Sequence, residues 1–392
     1  MASVHLFTSI TANYIPKVRV LANSLKKFHP DYQLHVILSD KIPRQIDVFN
    51  EPFDSIITIN ELPIPDLNRW IFKHSLVEMC TGVKGFAFKE IINRHSPSHV
   101  FFFDPDIVIL SPIDSLIEKL NKNSILLTPH QTQPEESDRA IRDNEICMLK
   151  HGTFNLGFLG IRPTQNSEAL KFVDWWTNRL QNYCYDDKIN GLFTDQKWVD
   201  LAPSFFSDLC ITREPIYNVA TWNLTHRIAT GSLKDGININ GKPICFYHFS
   251  GFDSGSQEIM LKEYGKHSPV LFDLRDWYTQ QCLLFGQHEM GGLQCAYDFF
   301  SNSEKITQLQ RIIYRSRKDL QSAFPDPFDA SDVNKSYFHW FSQSGNDCMN
   351  DAFNSESPEV LRSELTRLKE ELNAIKTSRS WRITRKFLGK PV

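Results

Sequence analysis

Residues 100–110 read VFFFDPDIVIL, an apolar run that carries two carboxylates at its centre. Aromatic and β-branched residues on both sides of the carboxylates are typical of a buried strand. Because an ionised carboxylate is costly to bury without a partner, Asp104 and Asp106 are expected where the strand ends and a cleft begins. Pro105 supports this interpretation, since it lacks an amide hydrogen and is unsuited to the centre of a sheet. The alternative is a surface turn with two solvated aspartates.

Two carboxylates separated by one residue suit a hard divalent cation, Mn2+ or Mg2+, which prefers oxygen ligands. Such a cation can bridge two phosphates of a nucleotide and neutralise a departing diphosphate. An Asp-x-Asp triplet alone occurs often by chance, so the prediction depends on the strand that precedes it.

The chain around this run alternates predicted strands and helices. Strands are expected at residues 4–10, 33–39, 56–59, 124–129, 153–161 and 243–249. Helices are expected at 16–28, at 67–88 with an interruption near Gly82 and Gly85, and at 167–182. This alternation predicts an α/β fold with a mostly parallel sheet covered by helices on both faces. Ligands of such sheets bind at the carboxyl ends of strands, near a switch in strand order, which is where the Asp pair is expected.

The pattern becomes helical from about Leu271, and a proline-rich break follows at residues 324–328. We therefore predict an α/β domain over residues 1–285, a helical extension over 286–345 and an amphipathic basic helix over 357–392. After Glu371 the charged residues are all lysines and arginines, and Trp381 and Phe387 lie among them.

Composition restricts the class of protein. The chain has 392 residues, a net charge of -3 and 41% hydrophobic residues, which indicates a soluble globular protein and argues against nucleic-acid binding. Its eight cysteines form no CxxC pair, which favours reduced thiols in a cytosolic protein. The first ten residues are too short and polar for a signal peptide, and no apolar run reaches membrane-spanning length. We therefore expect a cytoplasmic location.

His248 is the candidate for a third metal ligand. It follows a short apolar strand and precedes Ser250-Gly251. A neutral imidazole suits Mn2+, and Gly251 would let the backbone approach phosphate oxygens closely. The alternative is a histidine whose hydrogen bonds are satisfied at the strand end.

Isolated polar residues mark further candidates. Asn155 is a single amide in an apolar strand, and its partners are either sugar hydroxyls or backbone groups at a bulge. Asp195 and Gln196 open a helical segment, where Asp195 either caps the helix or faces a sugar. Lys84, between two glycines, either contacts a diphosphate or is solvated. Tyr14 either stacks on a nucleobase or packs in the core.

Taken together, these motifs resemble those of GT-A-fold glycosyltransferases, over roughly residues 4–252. The segment Phe103–Asp106 resembles the DxD metal motif. Residues 154–157, FNLG, resemble the FNxG segment of family 8 glycosyltransferases, and Asp195-Gln196 resembles their downstream DQ. Residues 248–251, HFSG, resemble the start of their HxxGxxKPW motif, whose histidine is the third metal ligand.

Other segments extend the resemblance. Asn13-Tyr14 resembles the first-strand loop whose Tyr stacks on the base, and Ser9 belongs to the same region. Lys84 lies where such enzymes carry a basic residue near the donor. The runs 193–200, 217–220 and 222–224 are similar to a bacterial group of glycosyltransferases of surface polysaccharides.

The resemblance implies a GT-A-type, Rossmann-like mixed sheet and metal-dependent transfer of a sugar from a nucleotide-diphosphate donor to a hydroxyl acceptor, with retained configuration. The acceptor would be a polysaccharide, a glycolipid or a protein glycan, and the donor a UDP-sugar or alternatively a GDP-sugar. The implied site comprises metal ligands Asp104, Asp106 and His248, catalytic residues Asp195 and Gln196, and donor-binding residues Ser9, Asn13, Tyr14, Lys84, Asn155 and Gly251.

Two departures bear on the uridine part of the donor: no Lys-Pro-Trp follows Gly251, and Ala12 replaces the acidic residue expected before Asn13. Two rival functions stay open. One is a sugar nucleotidyltransferase, although no Gly-rich phosphate loop is visible after the first strand. The other is a non-catalytic nucleotide-sugar or glycan-binding module.

The basic C-terminal segment resembles the Ser-Trp-Arg endings of many bacterial glycosyltransferases. Its interleaved basic and apolar residues can lie on the anionic inner face of the cell membrane, where lipid-linked acceptors reside. The alternative is a solvated helix or a coiled-coil segment through which copies of the chain associate.

Overall fold

The computed structural model describes residues 3–344, which fall into two compact units. The first unit holds the described residues up to 299 together with 303–306, and the second holds 300–302 and the described residues from 307 onward. The predicted basic helix at 357–392 lies outside the described residues, and the domain boundaries predicted from the sequence stay predictions.

The strands of the first unit are β1 Val4–Ile10, β2 Gln33–Leu38, β3 Ser55–Thr58, β4 His99–Phe103, β5 Ile107–Ile109, β6 Ile125–Pro129, β7 Phe154–Ile161, β8 Asp186–Asp187, β9 Leu192–Phe193, β10 Leu209–Ile211, β11 Ala229–Ser232, β12 Gly236–Ile239, β13 Lys242–Pro243 and β14 Phe246–His248. Its helices are α1 Ile15–Phe28, α2 Leu67–Phe72, α3 Leu76–Gly82, α4 Lys84–His95, α5 Asp114–Lys122, α6 Asp138–Ala140, α7 Ile146–His151, α8 Glu168–Tyr183, α9 Gln196–Val199, α10 Ala202–Phe205, α11 Ser256–Tyr264, α12 Val270–Leu284 and α13 Gln287–Met290.

The central sheet of the described residues has seven strands in the order β10-β6-β7-β4-β1-β2-β3. Neighbouring strands are parallel except where β7 pairs with β4 and with β6. The predicted α/β class with a mostly parallel sheet is therefore confirmed. The chain moves outward from β1 to β3 and then returns to β4 on the other side of β1. The strand order thus reverses between β1 and β4, where ligands of open α/β sheets bind.

The run at residues 100–110 forms two strands rather than one. β4 ends at Phe103, a turn takes Asp104-Pro105-Asp106, and β5 leaves the central sheet to pair antiparallel with β14. The break has a local cause, because neither the proline nor the carboxylates suit a buried ladder. The β5–β14 register pairs His248 with Ile107, which brings the histidine beside Asp106.

The predicted helix at 67–88 divides into α2, α3 and α4. Ser75 caps α3 through a capping box with Glu78, whose backbone amide donates to the Ser75 hydroxyl. Lys84 is consequently the first residue of α4, and only 3% of it is exposed. The amphipathic packing of these helices on the sheet, and not a surface loop, therefore holds this lysine.

The second unit contains α14 Gln308–Ser316, α15 Lys318–Ala323 and a further helical stretch at 337–344. The Tyr337 hydroxyl donates to the carbonyl of Gln310 over 2.7 Å, and the Tyr314 hydroxyl donates to that of Phe324 over 2.8 Å. Tyrosine side chains thus pin these helices to one another.

Within residues 3–344, no helix combines the length and the apolar character needed to cross a membrane.

Candidate active site

Asp104, Asp106 and His248 come together just beyond the carboxyl end of β4; we call them the carboxylate–histidine cluster. Each of the three side chains offers one ligand atom, and these three atoms all lie within 4.8 Å of one another. His248 Nε2 is 3.1 Å from Asp106 Oδ1 and 3.6 Å from Asp104 Oδ2. Two carboxylates and one imidazole form a donor set that suits Mn2+ or Mg2+.

A chain of hydrogen bonds determines which nitrogen of His248 faces the carboxylates. The backbone amide of Gly157 donates to Asn155 Oδ1 over 3.1 Å, so this atom is the amide oxygen. Asn218 Nδ2 donates to the same oxygen over 2.9 Å, which leaves Asn218 Oδ1 facing His248 Nδ1 at 3.2 Å. The Nδ1–H bond therefore points at Asn218, and the Nε2 lone pair is available to a cation. The residues present thus fit a divalent metal.

Electrostatics couple the three side chains. Burial raises the pKa of Asp104 above its ordinary value, in spite of nearby Lys84. Burial would also raise the pKa of Asp106, but the attraction and hydrogen bond of His248, together with the charge of Lys17, shift it below its ordinary value. Burial would lower the pKa of His248, but the attraction and hydrogen bond of Asp106, together with the charge of Asp104, shift it above its ordinary value.

Gly157 packs directly against the carboxylate–histidine cluster. A Cβ atom at this position would lie 2.4 Å from His248 Cε1 and 2.8 Å from Asp104 Oδ2. The carbonyl of Gly157 also accepts the backbone amide of Asp104 over 2.8 Å. Only a residue without a side chain lets β7 approach the cluster this closely.

Lys84 links the cluster to Asp195. Its ammonium lies 2.8 Å from Asp195 Oδ2 and 3.7 Å from Asp104 Oδ1, and it donates to the carbonyl of Leu156 over 2.9 Å. Burial favours the neutral amine, yet the two carboxylates hold the pKa of Lys84 above its ordinary value. The ammonium is therefore permanent, and the alternative of a solvated surface lysine is wrong.

The two residues of the DQ segment have different surroundings. Asp195 precedes α9 but makes no side-chain capping bond; its Oδ1 accepts the hydroxyl of Thr194 over 3.1 Å. Gln196 accepts the backbone amide of Leu156 and donates to the carbonyl of His151, both over 3.0 Å. Gln196 thus ties β7 to the end of α7, and its predicted catalytic role stays a prediction.

A cavity of about 420 Å³ opens beside the cluster. Its lining includes the predicted residues Lys84, Asp104, Asn155, Asp195, Gln196 and His248, together with His130, Gln131, Asn144 and Trp222. The structure therefore brings two of the three metal candidates, Asp104 and His248, to one cavity with Asn155 and the DQ segment. Ser9, Asn13, Tyr14, Asp106 and Gly251 do not belong to its lining.

The candidates near the first strand have local partners. The Tyr14 hydroxyl donates to Asp253 over 2.5 Å, and the Lys17 ammonium lies 4.0 Å from the centre of the Tyr14 ring. Burial and then Asp253 raise the pKa of Tyr14. Asn13 accepts the Thr11 hydroxyl over 2.6 Å. Stacking of a base on Tyr14 stays a prediction.

Ser9 and Gly251 are the remaining candidates. Ser9 is buried in β1, and its hydroxyl has no hydrogen-bond partner among the described residues. Gly251 has a φ of 77° and lies in the turn after β14, where its carbonyl accepts the backbone amide of Gln257 over 3.1 Å. A positive φ explains the glycine without a ligand.

Sequence reasoning missed two residues that organise the site. Asn218, which orients His248, is fully buried with a φ of 51°. It is a lone amide in an apolar run, the same signal that identified Asn155. His130 accepts Asn155 Nδ2 at 3.2 Å, and burial lowers the pKa of His130 to about 4. Nothing in its sequence context distinguishes His130.

No family model matches the chain. Two curated relatives come from Bacillus subtilis (strain 168). YfnD is 23% identical over 257 residues, which are 64% of this chain and 79% of the relative. YfnF is 26% identical over 180 residues, which are 45% of this chain and 57% of the relative.

The solved structures with which the fold aligns include glycosyltransferases. The galactosyltransferase LgtC, in complex with donor and acceptor sugar analogues, aligns with a TM-score of 0.41 and 14% identity over 72% of this chain and 95% of its own. GlyE of Streptococcus pneumoniae aligns at 0.39 and 14% identity, over 72% and 64%. At this level of similarity, function has to be argued from the site itself.

Proposed function

We propose that this chain is a metal-dependent glycosyltransferase that moves a sugar from a nucleotide-diphosphate donor to a hydroxyl acceptor. The observation that carries the proposal is the convergence of Asp104, Asp106 and His248 beside a cavity that Lys84 and Asp195 also line. A bound Mn2+ or Mg2+ would neutralise the charge of a diphosphate leaving group.

The protein's own residues supply position and charge. Asn218 holds His248 with Nε2 toward the carboxylates. Lys84 carries a positive charge beside Asp104 in the cavity lining, where a diphosphate would be attracted. Asp195, held by that ammonium, presents a carboxylate to the same cavity. The orientation of these groups before substrate arrives lowers the reorganisation that the reaction requires.

The finer parts of the proposal come from the motif resemblance. We infer a UDP-sugar donor, with a GDP-sugar as the alternative, transfer with retained configuration, and a polysaccharide, glycolipid or protein-glycan acceptor. The cavity volume of about 420 Å³ lies within the range of small-molecule sites and is compatible with a sugar.

The decisive experiment is a thermal-shift screen of UDP- and GDP-sugars with and without Mn2+. Binding to the folded state raises the melting temperature by mass action, by an amount that increases with ligand concentration. We expect a metal-dependent shift in the wild type that is absent in Asp104→Asn. Asp31→Asn, which changes an exposed aspartate in the turn between α1 and β2, is the matched control and should keep the shift.

Release of nucleoside diphosphate should accompany binding of the correct sugar nucleotide. If a sugar nucleotide binds with metal and pyrophosphate exchange occurs instead, the nucleotidyltransferase alternative is correct. Binding without turnover in the presence of acceptor glycans would favour the non-catalytic module. No shift for any nucleotide, with or without metal, would refute the proposed function.

A further inference from the structure

A second group of convergent side chains lies toward the amino-terminal ends of the parallel strands, which we call the amino edge of the sheet. The carboxylate–histidine cluster lies at the other ends of the strands, the carboxyl edge. His5 is near the start of β1, His35 lies on the neighbouring strand β2, and His95 is the last residue of α4. From His5 to the carboxyl end of β1 the strand spans about 16 Å, so this three-histidine cluster is well separated from the carboxylate–histidine cluster.

We propose that His5, His35 and His95 form a second metal site, selective for an ion that prefers imidazole ligands, such as Zn2+. Each histidine offers one ring nitrogen, and these three nitrogens all lie within 4.8 Å of one another. The His95 ring centroid is 4.8 Å from that of His5 and 4.8 Å from that of His35. The proposed transfer reaction does not use these residues, so the proposal goes beyond it.

Ligand chemistry separates the two clusters. The carboxylate–histidine cluster offers two hard oxygen donors, which suit Mn2+ or Mg2+. The three-histidine cluster offers nitrogen donors alone, which suit Zn2+, and three protein ligands leave a fourth position for water. His5 and His35 are buried whereas His95 is exposed, so an ion can enter from the His95 side.

Ser55 is the outer partner that such a site requires. His35 Nδ1 lies 2.7 Å from Ser55 Oγ. When Nδ1–H donates to that hydroxyl, the lone pair of His35 is on Nε2, which faces His5 Nδ1 at 2.8 Å. Metal-bound histidines are oriented in this way by a hydrogen bond from the nitrogen that does not bind the metal.

The nitrogens of His5 and His35 that face one another lie closer together than two ligands of one Zn2+ ion do. The planes of the His5 and His35 rings are nearly parallel, at 12° to one another, and one hydrogen bond joins their nitrogens. Tetrahedral Zn2+ with bonds of about 2.0–2.1 Å holds two nitrogens about 3.3–3.4 Å apart. The two rings must therefore separate by about half an ångström and turn, while the His5 proton moves from Nδ1 to Nε2 through solvent, with no net proton release.

The test is a Zn2+ titration of the untagged full chain by calorimetry, in a background of Asp104→Asn and Asp106→Asn that disables the other cluster. We expect one bound ion and a melting temperature that rises with Zn2+ concentration. Adding His95→Ala should weaken binding by at least about tenfold, since loss of an outer partner alone costs that much. Because His95 is exposed, the metal-free protein should keep its melting temperature.

His288→Ala in the same background removes an exposed histidine on α13 and should leave Zn2+ affinity unchanged. No Zn2+ binding in the background variant would overturn the proposal, and so would an affinity that His95→Ala does not reduce. Neither result bears on the nucleotide-sugar screen, so failure of this site and failure of the proposed transferase function are distinguishable.

Discussion

The carboxylate–histidine cluster and the three-histidine cluster lie at opposite ends of the same sheet and are held in different ways. At the carboxyl edge, His248 is fixed by a chain of side-chain and backbone hydrogen bonds through Asn218 and Asn155. At the amino edge, His35 has Ser55 and its own neighbour His5 as hydrogen-bond partners. The first arrangement presents a lone pair without rearrangement, and the second has to open.

Ligand identity alone does not define a metal site. The orientation of the donor atoms depends on the outer partners, and those partners come from distant parts of the chain. Changing one partner at a time at the carboxyl edge should therefore leave Zn2+ binding at the amino edge unchanged.

The largest effect is expected for Lys84→Met. This change leaves Asp104 and Asp195 without their shared buried cation, and removal of one partner from a buried ion pair costs about 3–5 kcal/mol. Unfolding in urea should show this loss. The control is Lys89→Met on the same helix, whose pair with Asp174 is exposed and should contribute about 1 kcal/mol or less. Equal losses for the two variants would contradict a buried role for Lys84.

Gly157→Ala should disturb the carboxylate–histidine cluster directly. The added methyl group would overlap His248 and Asp104, and overpacking of this kind costs about 1–3 kcal/mol. Mn2+-dependent binding of the nucleotide sugar should be lost as well. Gly292→Ala is the control, since a Cβ there meets no atom within 4 Å. If Gly157→Ala bound Mn2+ normally, the described approach of β7 to the cluster would be incorrect.

Asn218→Gly tests the orientation of His248. Glycine accepts the positive φ of this position, so the change removes the side chain without straining the backbone. Loss of the outer partner of a metal ligand should weaken Mn2+ binding by about 10–100-fold, as measured by Mn2+ titration. Asn240→Gly, at another positive φ remote from the cluster, should leave Mn2+ affinity intact. An unchanged affinity in Asn218→Gly would show that His248 needs no such partner.

At neutral pH the smallest effect is that of His130, because an ordinary imidazole is then mostly neutral in both the folded and the unfolded chain. Burial lowers the pKa of His130 to about 4. An unfolded histidine takes up a proton near pH 6.5, whereas folded His130 stays neutral down to about 4. Folding stability should therefore decrease as the pH falls from 6.5 toward 4, by at most about 1.4 kcal/mol per pH unit from this residue. His130→Gln should flatten that decrease in urea titrations, and His288→Gln should not.

Much of the fold could be predicted from local patterns. The boundaries of β1 match the predicted strand at 4–10, and β6 and β7 lie within the strands predicted at 124–129 and 153–161. The turn at Asp104–Asp106 was also predictable, since charge and proline are both unfavourable in a buried ladder. Within residues 67–88, the predicted interruption near Gly82 is confirmed, since α3 ends there. The earlier break between α2 and α3 was not predicted, because the capping at Ser75 competes with a continuous apolar pattern.

The candidate site could be predicted in its residues but not in its connections. Polar groups in apolar runs identified Asp104 and Asn155, since buried polar groups require partners. Asp195 was identified by its resemblance to the DQ segment. Sequence could not show that Lys84 joins two of these carboxylates, because the lysine lies between glycines in a segment that favours a loop as much as a helix.

By itself, the sequence determined the α/β class, the place where the central strand breaks and the residue types able to hold a metal and a sugar. These features depend on local periodicity, on the cost of burying charge and on side-chain chemistry. Tertiary structure alone decided that His248 lies beside Asp106, that Asn218 selects its free nitrogen and that three histidines meet at the other edge. Those contacts depend on strand register and crossover connections, because His248 and Asp106 are more than a hundred positions apart and the three histidines are about thirty to ninety apart.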